Sequence, residues 1–452
     1  MPTKHQMALN AAADDIRTWL ARTRFAMGSI DAKRPCAWDA YGYPENPCFQ
    51  DFYRLWARGG IAHGTVMRLN EKCFEDDPEV IEGDPESRAT APTRWEKDFN
   101  ALAKRLKLWE KFRETDMRRL VGQYACLILQ VADNKAWNQP LERVSAVQLI
   151  NVLPSWQGQM IPASWDTDEL SPTFGAVTMW NYLESQVGQN EQGEPGRSVE
   201  IHPSRVLVLG DVRDGVPFLR AALNDFITIE KVIGSAGESF LKNASRQLSI
   251  NFDKDTKLDD IARAHGIKMS EIQTLFDDVT RGMNMGQDQS IITQGAAVTP
   301  LVANVPDPRP AFDIALQSAS ASVRIPAKII VGNQTGERAS TEDLRDFNKR
   351  CQGRRLNVLS ADVESLIAKF VAHGILRPVE TSVVWSDLTE MSLEEKLANA
   401  LKMVECNSKS LASGEMVFTV DEIRTTAGYE VLPTIEPLPD EDPEPLDEET
   451  GL

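Results

Sequence analysis

Apolar and polar positions alternate with two different periods along this chain, and the changes of period mark its organisation. Phe52, Leu55 and Trp56 recur at helical spacing from Asp51, meet Gly59-Gly60, and give way to a second helical pattern from Ile61 to Asn70. Before them, residues 1–45 carry little pattern beyond an expected helix from Met7 to Arg24. The polar, proline-containing stretch Asp76–Pro92 reads as exposed. Trp95, Phe99, Leu102, Leu106, Trp109 and Phe112 then predict one helix or a pair, running to about Leu120.

The period then shortens. Tyr124–Val131 is a β-type run followed by the turn pair Asp133-Asn134, and Val147–Val152, Val177–Tyr182 and Arg205–Leu209 also read as strands. Pro154, Ser171-Pro172 and Gly188–Gly196 are the turn signals between them. Residues 120–212 are therefore expected to form a β-rich unit fused to helices.

A long helix follows from Leu219 to Ala244. Gly234 and Gly237 lie inside it, each costing roughly 1 kcal/mol against Ala, which is tolerable where a neighbouring backbone comes close. Residues 246–305 read as a compact insert: a strand (Gln247–Phe252), two helices (Leu258–Ala264 and Ser270–Val279) and two further strands (Ser290–Thr293 and Ala297–Val302). Pro308 and Pro310 introduce a short helix, Ala311–Val323, so rich in Ala and Ser that it buries too little area to form a core alone. Ala315 and Ala319 suit a place where helices crowd together. After an expected loop, Pro326–Ala339, Ser340 is placed to cap a helix of about 50 Å with Leu344, Phe347, Cys351, Leu359, Val363, Leu366, Ile367 and Phe370 on one side. Gly374 ends it. A helical pair, Leu393–Leu411 and Val420–Ala427, precedes the tail.

Charge changes this picture more than composition does. The chain has a net charge of −18, and part of that excess lies in a tail from Pro433 with Glu436, Asp440, Glu441, Asp442, Glu444, Asp447, Glu448 and Glu449 and no base. The body stays acidic without it, which argues against a broad nucleic-acid-gripping surface. The longest apolar stretch, about Ala125–Ala132, is far too short for a membrane span, and the first thirty residues do not read as a signal peptide. The protein is expected to be cytosolic when made.

Candidate chemistry is sparse. Cys36, Cys48, Cys73, Cys126, Cys351 and Cys406 contain no CxxC pair and read as reduced, structural thiols. No metal and no cofactor are expected. Gly234–Ser239 lacks the lysine of a phosphate-binding loop, and Asp166-Thr-Asp168-Glu169 reads as a solvated turn in preference to a metal site. Leu258–Ile272 has the Ala, Gly and Ile spacing of a helix-turn-helix reader, so a DNA-binding regulator using residues 258–281 is the alternative function. Glu271, Asp277 and Asp278 on its second helix would repel phosphates.

Several segments resemble the portal proteins of tailed bacteriophages, within them a phage-associated portal-like subfamily. Asp51-Phe-Tyr-Arg-Leu-Trp56 with Ile61-Ala-His-Gly-Thr-Val66 is similar to that family's opening wing helices. Leu120-Val-Gly-Gln-Tyr-Ala-Cys-Leu-Ile-Leu129 resembles its entry into the wing sheet, and Ser171-Pro-Thr-Phe-Gly175 with Met179-Trp-Asn-Tyr182 its next hairpin. Ile201-His-Pro-Ser-Arg-Val-Leu-Val208 resembles the strand that leaves the wing. Arg324-Ile-Pro-Ala-Lys-Ile-Ile-Val-Gly332, the helix beginning Thr341-Glu-Asp-Leu, and Phe418-Thr-Val-Asp-Glu-Ile-Arg424 with Gly428 complete the series. The resemblance covers about residues 50–432, and the order of the motifs is more specific than any one of them.

It implies an α+β phage portal fold with an α/β wing, a two-helix stem, a small α/β clip, a long spanning helix and a helical crown. On this chain the wing would take residues 46–218 and 340–383, the stem helices 219–245 and 306–325, the clip 246–305, a tunnel loop 326–339 and the crown 384–432. Residues 1–45 would be an N-terminal extension and 433–452 an acidic disordered tail. The implied function is a non-enzymatic homo-dodecameric ring at one capsid vertex of the virion, assembled in the host cytoplasm. Double-stranded DNA would pass through it during packaging and ejection. Its partners would be the terminase large subunit, then a head-completion, adaptor or tail protein, together with capsid and scaffolding protein, and no membrane. Lys328, Asn333, Gln334, Thr335 and Arg338 would face the DNA, and Gly234, Gly237, Ala315 and Ala319 would pack the stem. An acidic channel wall would keep phosphates from sticking during translocation.

Overall fold

The computed structural model describes residues 41–85, 91–184, 187, 196–244, 248–252, 257–264, 266–285, 296–300, 307–332, 337–390, 393–410 and 416–430. The expected helix Met7–Arg24, the strand Ser290–Thr293 and the acidic tail lie outside these residues. The chain divides into two compact units, Met1–Ser386 and Asp387–Leu452.

Among the described residues of the larger unit come first α1 (Phe49–Arg58) and α2 (Gly60–Cys73), separated by Gly59 as the two glycines lead one to expect. The next stretch departs from expectation. Asp76–Pro92 contains β1 (Glu79–Glu82), whose Val80 and Ile81 are buried. Its partner is β10 (Thr381–Val384), nearly three hundred residues away, with Glu79 opposite Val384. A strand this short has no periodicity of its own to read.

Helices α3 (Arg94–Leu106) and α4 (Leu108–Val121) are the expected pair, broken at Lys107, which is left-handed at φ 50°. Thr93 caps α3 by accepting from the Glu96 amide at 3.2 Å, and the Glu96 carboxylate accepts from the Thr93 amide at 3.1 Å. Glu96 also accepts from the Glu82 amide at 3.0 Å, so one buried acid joins α3 to β1.

Two three-stranded antiparallel sheets follow among the described residues. The first has the order β3 (Leu149–Trp156), β2 (Tyr124–Val131), β7 (Val206–Gly210). The second has the order β4 (Met160–Trp165), β5 (Val177–Leu183), β6 (Ser198–Ile201). Strand β2 is buried on both faces, hence its unbroken apolar run. Tyr124, Cys126 and Ile128 meet Met160, Trp180 and Ile201 of the second sheet, while α4 packs on the first. The Tyr124 hydroxyl donates to the Met160 carbonyl at 2.6 Å, which removes the cost of burying it. Pro154 is not a turn but a residue of β3, opposite Leu127. β3 is an edge strand, so the missing amide costs no ladder bond, and the Pro154 carbonyl accepts from Arg118 at 2.5 Å.

The chain then enters α5 (Leu223–Ala244) after a short 3-10 turn, Arg220–Ala222. The insert holds β8 (Leu248–Phe252), α6 (Leu258–Ala264), α7 (Ile272–Met285) and β9 (Ala296–Pro300), with β8 and β9 paired antiparallel. Helix α8 (Arg309–Val323) packs back on α5.

Residues Pro326–Ala339 do not form one loop. They contain a short helix, α9 (Ala327–Val331), and the start of α10 (Glu337–Arg354), so the long helix begins before Ser340 and not at it. A π turn at Arg355–Leu359 carries α10 without a break into α11 (Ser360–Ala372). The smaller unit contains α12 (Leu393–Ser410) and α13 (Val420–Thr426), the latter capped by Thr419 and Glu422.

Candidate functional site

The two expected stem helices lie side by side. One face of α8 is buried through Ala315, Leu316, Ala319 and Val323, against an α5 whose Leu223, Phe226 and Ile229 are buried. The Ser318 hydroxyl donates to Asp225 at 3.0 Å across this contact. Ala315 and Ala319 therefore pack within one chain, and the small side chains are what allow the close approach.

The glycines behave differently. Gly234 and Gly237 are exposed, and a Cβ added at either would meet nothing within 4 Å. Among the described residues, no neighbouring backbone approaches them. Beside them Ile233 is 50% exposed, Phe240 73% and Leu241 70%, and Ile314 on α8 is 70% exposed. The far half of the stem pair thus carries bulky apolar side chains around two open glycine positions.

Between α8 and α10 the chain is held by specific contacts. Arg324 is left-handed at φ 54°, Ile325 is fully buried, and the Ser320 hydroxyl donates to the Ile325 carbonyl at 2.6 Å. Arg350 of α10 donates to the Val323 and Arg324 carbonyls, closing the open end of α8. Gly332 ends α9 at φ +76°, and a Cβ there would come within 2.9 Å of the Arg68 guanidinium. Lys328 is half-buried on α9, where with Arg68, Lys72 and Asp343 it lines a cleft of about 330 Å³ between α2 and α10. Arg338 falls in the first turns of α10, not in a loop. Asn333, Gln334 and Thr335 lie outside the described residues.

The structure also brings together charged side chains that the sequence does not link. Asp116 of α4 is fully buried; it accepts from Arg354 at 2.6 Å, from Asn70 at 3.0 Å and from Arg119. Arg119 also donates to Asp362 of α11 at 2.6 Å. Burial alone would raise the Asp116 carboxyl, but the charges and hydrogen bonds of Arg354 and Arg119 outweigh it and hold it at about 2. Next to Arg354, the buried Arg355 donates to the Cys73 carbonyl at 2.8 Å and the Ser386 carbonyl at 2.9 Å, with its guanidinium over Trp385. One signal was available: Asp116 stands between Phe112 and Leu120 on the buried face of a helix, where an acid requires a partner.

Other sequence candidates resolve plainly. Asp166 accepts from the Ser171 and Thr173 hydroxyls at 2.6 and 2.7 Å, and Asp168 accepts from the Leu170 amide at 3.0 Å, which makes this segment a self-bonded turn. Asp259, Asp260, Asp277 and Asp278 are exposed on α6 and α7, and so would face any phosphate that approached. Among the described residues, no helix is long and apolar enough to cross a membrane, and no group of His, Cys, Asp and Glu is arranged to hold a metal.

The chain is a mixed helix-and-sheet protein with α8 packed on α5, and the sequence comparison names its class. Residues 91–409 match the phage portal protein family model, and the chain belongs to that family. No curated protein sequence matches it. Among solved structures it is similar to a chain in the neck of a native gene transfer agent particle, computed with C12 symmetry. The identity there is 13%, covering 84% of this chain and 94% of that one at a TM-score of 0.46. A chain of the virion of the native gene transfer agent particle shows 13% identity, covering 87% and 98% at a TM-score of 0.41. The HK97-family phage portal protein from Corynebacterium diphtheriae shows 12% identity, covering 74% and 94% at a TM-score of 0.37.

Proposed function

We propose that this chain is a structural, non-catalytic portal subunit that assembles into a ring of twelve at one vertex of a phage capsid. DNA passes through that ring during packaging and ejection. Membership of the portal family supports the class. The observation that carries the ring is the stem: Ile233, Phe240 and Leu241 stand exposed around Gly234 and Gly237, a surface that a second helix pair would cover and that water would not favour. In this reading a neighbouring subunit supplies the close backbone approach that the glycines permit.

The clip, residues 246–305, is then the docking surface for the terminase large subunit and later for an adaptor or tail protein, with capsid and scaffolding protein around the wing. Residues 326–339 take the channel side, with Gln334 and Arg338 nearest the DNA and Lys328 at the base. The net charge of −18 supports a wall from which phosphates slide. A helix-turn-helix regulator fits less well, because exposed acids on α6 and α7 oppose phosphate contact. Native mass spectrometry tests the ring, with twelve subunits expected and a stable dimer or monomer overturning it. Photocrosslinking from positions 334 and 338 in packaging-arrested particles tests the channel. DNA should be labelled from both and not from Gln192; labelling of protein alone would overturn that placement.

A further inference from the structure

Between β2 and β3 the chain runs through residues 133–144 with neither helix nor strand, yet hydrogen bonds tie it down along its length. The Asp133 carboxylate accepts from Arg205, the Trp137 carbonyl from the His202 amide at 2.9 Å, and the Gln139 carbonyl from Arg205 Nε at 3.2 Å. The Leu141 amide donates to the Ser204 hydroxyl oxygen at 2.8 Å, and the Val144 amide to the His373 carbonyl at 2.8 Å. Leu141 and Val144 are buried, and Trp137 packs against the core between the two sheets. All these bonds but the last end on one turn, His202–Arg205, which carries the chain from β6 in the second sheet to β7 in the first.

A histidine holds that turn closed. His202 Nδ1 accepts from the Ser204 amide at 3.2 Å and lies 2.8 Å from the Ser204 hydroxyl. A backbone amide can only donate. The Ser204 oxygen already accepts from Leu141, which leaves its own proton to point at Nδ1. Nδ1 therefore carries no proton, and the ring is neutral with its hydrogen on Nε2.

The surroundings oppose a second proton. Arg205 is fully buried on the same turn, and the Lys369 ammonium of α11 donates to the Pro203 carbonyl at 2.9 Å and to that of Val206. His373 follows α11, with the Arg143 side chain packed over Gly374 beside it. Against these cations stands the Asp133 carboxylate, already engaged by Arg205. Lys135 and Glu142 pair with each other at 2.6 Å, and burial pushes the Cys126 thiol of β2 up and keeps it neutral.

We propose that residues 133–144 are an acid-released strap with His202 as its latch. When His202 takes up a proton, its Nδ1–H meets the Ser204 N–H, so the ring turns away and the Ser204 hydroxyl loses its acceptor. The new charge also adds to Arg205 and Lys369 across the turn that anchors the strap. Burial, Arg205 and Lys369 lower His202 from the ordinary 6.5, and burial and Lys369 lower His373. The closed form thus binds fewer protons than the open one. The strap's hold is complete well above pH 6.5 and weakens as the pH falls through that value. Asp133 stays ionised meanwhile, because the bonds from Arg205 and the Lys135 amide outweigh burial and keep its carboxyl below the ordinary range. Release uncovers Trp137, Leu141 and Val144, and none of this depends on the portal reading.

Hydrogen exchange of the full-length protein, read by mass spectrometry with labelling times scaled to the intrinsic rate at each pH, tests the strap. From pH 7.5 to 5.5 the amides of residues 133–144 should lose protection by roughly fivefold, the worth of one capping hydrogen bond, while β2 stays protected. His202→Asn keeps an acceptor for the Ser204 amide that does not titrate, so its strap should be as protected at pH 5.5 as at 7.5. Equal strap protection at the two pH values in the wild type would overturn the proposal, whether or not the variant folds. A wild-type response in H202N would remove His202 as the latch. Loss of protection in β2 together with residues 133–144 would mean that acid opens the sheets and that no separate strap exists.

Discussion

Asp116 and Arg354, 238 residues apart in the chain, meet at 2.6 Å in the core of the larger unit, and neither carboxylate oxygen of Asp116 touches water. This pair ties α4 to the end of α10, next to the π turn. Its energetics are those of a buried charge. The pair is a weak source of net stability, but losing one partner is severe, on the order of 3–5 kcal/mol, because the other charge stays buried.

The carboxyl sits at about 2 in the folded chain against an ordinary 3.8. Its contribution is therefore complete above about pH 4 and disappears as the pH falls through 2. Asp116→Asn should lower the melting temperature at neutral pH and flatten the acid limb between pH 4 and 2. Calorimetry across that range reads both. An unchanged acid limb would mean the carboxyl does not titrate there.

Lys369 gives the opposite case. Burial brings its amine from 10.5 down to about 8, where it donates to the Pro203 carbonyl at 2.9 Å and to that of Val206. Between pH 8 and 10.5 the unfolded chain holds a proton that the native chain has released. Stability should therefore rise with pH through that window. In Lys369→Met the rise should be absent, as denaturant unfolding at pH 7.5 and 10 would show.

In the proposed ring, substitutions on α5 and α8 should separate folding from assembly. Ala319 is fully buried inside the chain, so Ala319→Phe should cost ~1–3 kcal/mol in the isolated subunit, before any ring forms. Phe240→Asp and Ile233→Asp replace exposed side chains and should leave the subunit's melting temperature within a degree or two while abolishing the ring in native mass spectrometry. Normal rings from both aspartate variants would remove α5 from the interface.

Gly332 supports a smaller prediction. At φ +76° an added Cβ strains the backbone by about 1 kcal/mol, whereas the clash with Arg68 involves the movable end of a side chain. Gly332→Ala should destabilise by that amount, and adding Arg68→Ala should not restore it. Full restoration in the double variant would place the cost in the clash instead.

Strands β8 and β9 pair directly, so deleting residues 253–285 removes α6 and α7 while keeping the base of the insert. The deletion should leave ring formation intact and abolish DNA packaging in a complementation assay. Efficient packaging would exclude the insert as the motor's seat.

Much of the fold was legible because the signals were local. The Tyr124–Val131 strand, the paired helices before it and α8 each declare themselves within a dozen residues. The misses share one cause, distance. Val80 and Ile81 look like fragments of a polar stretch until β10 is placed beside them. Pro154 reads as a turn until its strand is known to lie at an edge. At the site, Ala315 and Ala319 were legible as packing residues and the family resemblance paired their helix with α5, but the open surroundings of Gly234 and Gly237 were not legible. Asp116, Arg119, Arg354 and Arg355 find one another only across the finished core. Arg355 left a visible trace, since it occupies the single gap in an otherwise apolar row.

That row has a consequence. Phe347, Cys351, Arg355, Leu359, Val363 and Ile367 are all buried, and each follows the last by four residues. Four residues of an ordinary α-helix turn about 40° past a full revolution, so five such steps would wind the row through about 200°, to the opposite side. The π turn at Arg355–Leu359 takes up part of that excess, and the row keeps facing inward. The turn thus holds one surplus residue while the register downstream is kept. Replacing the exposed Asn357 should matter little, and deleting it should turn the π turn into regular α-helix with Val363 and Ile367 still facing the core.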